Sequence, residues 1–423
     1  MTEVDGAPDP SRSVDRRMAL AREWDELVEQ VRQLDGFEDF LRPPPLDKLL
    51  PAAADGPVAV INVSRWRCDA LLVTEDEVRV RDLPGLTAAD VQRRVEGYLR
   101  QLQRVGQCEA AYVRARRDPA ATGEARARAA HELRVARLRA ETTLRVVLQW
   151  LWDSVAEPVL TELGFAETPA EGAVWPRLWW CPTGLLTLLP LHAAGDHRAP
   201  GPDRPTVLDR VVSSYTPTLR ALLEARRPLP AGADPPGLLA VTVPDAPGEV
   251  PLDNVAAERD MLVARFAGRC TLRDGRDAVV ADVLELLPAH RWVHFSCHGD
   301  QLLDDPSQGG LRLYDGVLTI GQISERQYSG DFAFLSACKT ATGGLALADE
   351  AITLAAALHY TGYRHVIGTL WTVYQSEAYT VADAVYADGF EPAKSAHRLH
   401  GVLRQMRETE RLSAWTPFTH TGP

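Results

Sequence analysis

Two residues able to do covalent chemistry together, His298 and Cys338, stand forty positions apart. Each closes an apolar run. Trp292 to Cys297 is apolar and rich in β-formers until His298-Gly299-Asp300 breaks it, and Phe332 to Ala337 is apolar until Cys338 opens a Lys-Thr-Ala-Thr-Gly-Gly turn. A thiol is mostly protonated at neutral pH, and an imidazole beside it takes that proton and holds the thiolate. Such a pair attacks a carbonyl carbon, and the oxyanion that results needs N–H donors. Gly299 has no Cβ, so its N–H can approach a substrate closely. The N–H of Cys338, at a strand-to-turn junction, is the second candidate donor. A lone Cys and a lone His are ordinary core fillers. What singles these out is that both end strands and both precede small-residue turns.

The elements around them must deliver both residues to one edge. Strands apolar on both faces belong to parallel sheets, and sites in such sheets lie beyond the carboxyl ends of the strands. After the Pro/Gly-rich stretch Arg227 to Gly237, the pattern predicts a strand at Leu238 to Val243. Helices follow at Val255 to Phe266, which carries Glu258, and at Asp277 to Leu287, leading into the His298 strand. Beyond Cys338 it predicts a helix at Ala348 to Tyr360, a strand at His365 to Leu370, and mostly helix from Ser376 to Arg407. This βαβαβ alternation implies an α/β fold with a doubly wound, mostly parallel sheet flanked by helices.

Upstream, strands are expected at Val58 to Val63 and Ala70 to Val73. A long helical hairpin follows: Thr87 caps a helix to Arg117, Asp118-Pro119 breaks it, and a second helix carries Leu133, Val135, Leu138, Leu144, Val147, Leu148 and Leu151 from Gly123 to Leu163. Leu178 to Cys181 and Leu185 to Leu189 read as a β-hairpin. Residues 1–50 read as an arm, with Leu20, Trp24, Leu27, Val31 and Leu34 on one helical face ending at Gly36, then the linker Pro43-Pro44-Pro45. Three segments are thus expected: 1–50, 51–235 without chemistry of its own, and 236–423 with the dyad.

Composition narrows the function. A net charge of −12 argues against general nucleic-acid binding, and the Arg-rich stretch from Arg114 to Arg139 is interleaved with Glu124 and Glu132, as on a solvated helical face. No run approaches the length of a membrane span, and Met1 to Arg17 lacks the apolar core of a signal peptide, so the expected location is cytoplasmic with reduced cysteines. His294, Cys297 and His298 do not form a metal cluster, because strand alternation turns Cys297 toward the Val293 and Phe295 side, away from His294. His192 and His197 are too loosely placed for metal ligands. No metal or cofactor is expected.

The two strand-end motifs resemble those of the CHAT family, caspase- and separase-like cysteine peptidases of clan CD, whose pattern is an apolar strand ending in His-Gly and another ending in Ser-Ala-Cys-x-Thr. Further similar pieces are Cys181-Pro182-Thr183-Gly184 with Leu188-Leu189-Pro190-Leu191, Tyr215-Thr216-Pro217-Thr218-Leu219, Gly310-Leu311 with Asp315-Gly316-Val317-Leu318, Val366 to Trp371, and Trp415-Thr416-Pro417-Phe418 with Gly422. The resemblance implies Cys338 as nucleophile, His298 as base, and a first half that is an inactive caspase-like unit. It also implies a cysteine endopeptidase that cleaves a partner protein in a regulated bacterial defence or cell-death pathway, with an activating or sensor protein as a further partner. Asp300, Trp371, Thr372 and Tyr374 are implied near the pocket for the residue before the scissile bond. The family's Asp-rich loop is replaced here by Tyr374-Gln375-Ser376, which argues against a basic residue there. Asp300, Asp304, Asp305, Asp349 and Glu350 argue for one, and both preferences stay open. The alternative is a catalytically silent scaffold of the same family, and a weaker third reading is an acyltransferase or hydrolase acting on a small molecule.

Overall fold

The computed structural model describes residues 10–35, 37, 40–199, 201, 204–229, 237–300, 306–337, 353–387 and 389–423, except the side chains of 10–15, 17, 300 and 306. The chain divides into two compact units, Met1–Pro51 and Ala52–Pro423. The first holds the helix Pro10–Arg32, whose last residue turns its guanidinium back onto the carbonyl of Phe40 at 2.9 Å. The helix stops short of the Gly36 expected to end it.

The second unit is built on one sheet of eleven strands. Its first half contributes β1 (Val58–Asn62), β2 (Asp69–Val73), β3 (Val78–Asp82), β4 (Arg177–Pro182) and β5 (Val212–Tyr215). The second half contributes β6 (Leu238–Thr242), β7 (Cys270–Asp274), β8 (Trp292–Ser296), β12 (Phe332–Ser336), β13 (His365–Thr369) and β14 (Phe418–Thr421). A separate small sheet holds β9 (His298–Asp300), β10 (Gly310–Arg312) and β11 (Val317–Thr319). The order across the large sheet is β3-β2-β1-β4-β5-β14-β13-β12-β8-β6-β7. The run β1-β4-β5-β14 is parallel, and so is β13-β12-β8-β6-β7; between them β14 and β13 are antiparallel.

Sequence patterns explain most of this. Thr87 accepts the N–H of Asp90 and caps the helix Ala88–Arg117, and Thr122 caps its partner Gly123–Leu151. The inner ends of the two helices bury Val91, Val95, Tyr98, Leu144, Val147 and Leu148 against the sheet. Farther out Cys108, Leu133 and Ala136 form a small cluster of their own. Leu138 lies off that stripe and is 61% exposed. A π-helical turn, Trp152–Ala156, rotates the chain before the helix resumes at Glu157–Glu162.

The expected hairpin at 178–189 does not form. Leu178 to Cys181 belongs to β4, but β4 already has parallel neighbours on both sides, so no edge is left for an antiparallel return. Gly184 takes a φ of +59° and the apolar run coils into a 3-10 helix, Gly184–Leu188, that buries Leu186 and Leu188. Short apolar runs of this length do not separate strand from buried helix by pattern.

The seam between the halves depends on the C-terminal motif. Gly422 has φ +127°, and a Cβ there would sit 2.0 Å from the carbonyl oxygen of Arg364. Its own carbonyl accepts the indole N–H of the buried Trp179 at 2.7 Å. Beneath it runs a buried polar chain: Arg177 donates to Ser214 at 2.7 Å, Ser214 lies 2.8 Å from His420 Nδ1, and His420 Nε2 lies 3.3 Å from His365 Nδ1. Burial keeps both rings neutral, and with Ser214 donating to His420 Nδ1 the Nε2–H of His420 faces His365.

Burial lowers the pKa of His365 and His400 to about 3, of His359 to about 4, and of His420 well below the ordinary imidazole value. In the unfolded chain these rings take protons below about pH 6.5, while the folded protein refuses them, so stability falls as pH falls. Each such ring should cost about 1.4 kcal/mol per pH unit between about pH 6.5 and 4.5. Urea midpoints measured across that interval should drop steeply, and the drop should shrink when His420 is replaced by Gln; a flat profile would contradict this account.

Candidate active site

His298 emerges where β8 ends. β8 alternates: Trp292, His294 and Ser296 face the layer of the helix Val255–Arg265, while Val293, Phe295 and Cys297 join the apolar cluster on the other face. Cys297 is buried among apolar residues, on the side strand alternation predicts. Its neighbour β12 runs parallel and in register, pairing Phe334 with His294 and Ser336 with Ser296. Both strands therefore end together, and Cys338 follows Ser336 by two residues in the chain. Cys338, Lys339 to Ala348 and the acidic residues Asp304, Asp305, Asp349 and Glu350 lie outside the described residues, as does the side chain of Asp300.

After β8 the chain bends into the small sheet, where His298 lies opposite Arg312, Gly299 opposite Leu311 and Asp300 opposite Gly310. Gly310 has to be glycine: a Cβ would sit 2.0 Å from the carbonyl oxygen of Leu318 on β11. The motif Gly310-Leu311 with Asp315-Gly316-Val317-Leu318 thus builds the hairpin that braces the His-Gly segment. Asp315 adds a bond from the N–H of Val280 at 2.9 Å.

The imidazole of His298 is partly exposed and oriented by backbone. Its Nε2 lies 2.8 Å from the carbonyl oxygen of Val250, in the loop before the helix Val255–Arg265. A carbonyl can only accept, so the proton sits on Nε2 and the lone pair on Nδ1 is left to take a proton. That is the tautomer a general base requires.

The strand ends are tied from below. Glu258, in the first turn of its helix, accepts from Ser296 Oγ and from Ser336 Oγ at 3.1 Å, both through Oε2. Thr369, at the end of β13, donates to the carbonyl of Ala337 at 2.8 Å. Neither role was visible in the motif spacing. The available signal was an acid inside an apolar helical stripe, Val255, Glu258, Met261, Leu262, together with serines placed alike, two residues before His298 and two before Cys338.

The pocket candidates differ in burial and partners. Trp371 is buried, 4% exposed, with its ring edge-on to Tyr98 at 5.2 Å. Thr372 is exposed. Tyr374 is held between two guanidinium groups, Arg137 at 5.0 Å and Arg411 at 5.5 Å, so it links the loop after β13 to the helical hairpin. A cleft of about 670 Å³ opens beside the ends of β1, β4 and β5, lined among others by Asn62, Thr183 and Tyr215, and by Thr353 and Leu370. Neither His298 nor Gly299 is among the described residues that line it. Among the described residues no three His, Cys, Asp or Glu side chains converge as metal ligands, and no helix is long and apolar enough to cross a membrane.

The architecture, a large, mostly parallel sheet flanked by helices, is a caspase-like fold. Two crystal structures of the Saccharomyces cerevisiae separase–securin complex share it, with TM-scores of 0.59 and 0.58 at 10% identity. The match covers 89% of this chain but only 30% of the separase chain. The Arg-specific cysteine proteinase gingipain R is similar over 67% of this chain and 74% of its own, at 10% identity and a TM-score of 0.41. No curated protein is significantly similar in sequence. The CHAT domain family model matches residues 145–423, and the chain belongs to that family.

Cys297 is buried inside the apolar cluster, whereas Cys338 follows the end of β12 by two residues in the chain. Cys297→Ala should cost about 1 kcal/mol, as for a small buried side chain, and leave the reactivity of Cys338 unchanged. A melting curve combined with thiol labelling tests both halves of this; loss of labelling in Cys297→Ala at an unchanged melting temperature would reverse the assignment.

Proposed function

We propose that the protein is a cysteine endopeptidase using His298 and Cys338 to cleave a partner protein, in a regulated bacterial defence or cell-death pathway. The observation that carries this reading is the His298 imidazole, locked by the carbonyl of Val250 in the tautomer that leaves Nδ1 basic. It stands at the end of the strand that pairs, in register, with the one leading to Cys338. Membership in the CHAT family supports the same assignment. The separase of the similar structures is bound to securin, and we carry over to this chain a protein as substrate or regulator.

The chemistry is acyl transfer. Nδ1 of His298 takes the thiol proton of Cys338, and the sulfur attacks the carbonyl carbon of the scissile peptide. The N–H groups of Gly299 and Cys338 hold the oxyanion. When the C–N bond breaks, the imidazolium returns the proton to the departing amine. Water, deprotonated by the same ring, then hydrolyses the thioester and restores the thiol. No metal or cofactor enters these steps. Asp300, Thr372 and Tyr374 are the pocket residues we propose nearest the substrate; Trp371, through its packing on Tyr98, acts from behind them.

Incubating host lysate with wild-type protein and with Cys338→Ala, and comparing new N-termini, should give cleavage products with the wild type alone. His298→Ala should lower turnover by roughly 10²–10⁴-fold, with a deficit that narrows as pH rises toward the thiol's own pKa. A deficit constant with pH would remove His298 as the base. A wild-type protein that produces no new N-termini and leaves peptide electrophiles unreacted would point instead to the scaffold.

A further inference from the structure

Directly beneath the strand ends lies a set of buried polar side chains that the proposed hydrolysis does not use. Glu258 is 3% exposed and sits on the inward face of its helix among Val255, Met261 and Leu262. Its Oε2 accepts from the hydroxyls of both Ser296 and Ser336. Its Oε1 lies 3.2 Å from Nε2 of the fully buried His294, off the line of a hydrogen bond, and among the described residues neither atom has a hydrogen-bond partner. The His294 ring is fixed in turn: Nδ1 is 3.1 Å from the hydroxyl of Tyr386, and the ring stacks on Phe334 at 4.9 Å. A carboxyl group is costly to bury, and a residue of the same size without polar atoms would fill this space at less cost.

The register shows what the acid does there. Ser296 and Ser336 are direct partners across β8 and β12, and each stands two residues before one member of the dyad. One carboxylate oxygen therefore ties together the last paired residues of the two strands. The same helix is preceded by the loop whose Val250 carbonyl holds His298. We infer that Glu258 is a positioning residue, a clamp that sets the separation of His298 and Cys338 by pinning Ser296 to Ser336. This inference rests on the dyad reading above. The clamp needs an acceptor oxygen and not a charge: a glutamine oxygen can receive both serine hydroxyls, whereas a methionine of similar volume can receive neither.

The test is the rate at which iodoacetamide alkylates Cys338 in the full-length protein, followed by peptide mapping from about pH 5 to pH 9, where an ordinary thiol with a pKa near 8.5 and a paired thiolate differ most. Wild type should react at neutral pH faster than an ordinary thiol. Glu258→Met should lose roughly 10- to 100-fold of that rate and recover an ordinary thiol profile, because small displacements of paired groups carry penalties of that order. Glu258→Gln should stay within about threefold of wild type, since the acceptor is kept. Leu72→Ala, in the core of β2 far along the sheet order, serves as a variant that lowers the melting temperature and should leave the profile unmoved. If Glu258→Met fails to fold, Ser296→Ala combined with Ser336→Ala removes the same bonds and should show the same loss. Equal rates for Glu258→Met and Glu258→Gln, or a Ser296→Ala/Ser336→Ala protein with the wild-type profile, would overturn the clamp while leaving the dyad standing. A wild-type Cys338 that titrates like an ordinary thiol would overturn the dyad reading, and the clamp with it.

Discussion

The proposed site hangs on two strands, β8 and β12, that run parallel, in register and buried on both faces. Parallel neighbours cannot be joined by a tight turn, so the chain must leave the sheet and return through a crossover. That requirement explains why two strands that end together at one edge lead to residues forty positions apart in sequence, His298 and Cys338. The crossover here is not idle chain. It builds the β9–β11 hairpin that braces His298 and Gly299, and the short helix Ile320–Ser324, entered through a capping box at Thr319 and Gln322. In register, Ser296 and Ser336 face each other, and a single acid from the neighbouring helix serves both.

A second constraint joins the halves. The two parallel runs have opposite directions, and such runs share one sheet only if a strand pairs parallel with one and antiparallel with the other. β14 does this, although it comes last in the chain. Gly422 allows the close approach, and the bond from Trp179 fastens it. The polar chain Arg177–Ser214–His420–His365 passes through the same seam and is satisfied only with neutral imidazoles. Another buried polar site, where Asp209 takes a bidentate bond from Arg407 at 2.6 and 3.0 Å, fixes the helix Ser395–Thr409 over the first half.

Legibility in the sequence followed the length and purity of each pattern. The helical hairpin could be read to within a residue at Thr87 and Arg117, because capping chemistry and a helical apolar period sustained over thirty residues mark it. The buried strands β6, β8, β12 and β13 could be read because they are rich in apolar and β-forming residues and bounded by turn-forming ones. β5 and β14 escaped: Val212-Ser213-Ser214-Tyr215 and Phe418-Thr419-His420-Thr421 are short and half polar, and each is held as a strand by a neighbour distant in sequence, β4 and β13. β7 escaped as a half-buried edge strand that ends in Arg273-Asp274. The 178–189 hairpin was misread because an apolar run carries no mark of whether its strand will have a free edge.

By itself the sequence determined the buried strands β8 and β12, the alternation that turns Cys297 away from His294, and the doubly wound class of the fold. These are local properties, set by side-chain period and by the residues that break it. The tertiary structure alone decided which carbonyl orients His298, that Glu258 lies under both strand ends, that Trp371 is packed against Tyr98, and that the last strand closes the seam. Each of these is a contact between segments distant along the chain: Val250 and His298 are 48 residues apart, Glu258 and Ser336 78, Trp179 and Gly422 243. A hydrogen bond leaves no trace in the period of either segment. It exists only once hydrophobic burial has brought the two together and left a buried polar group that must find its partner.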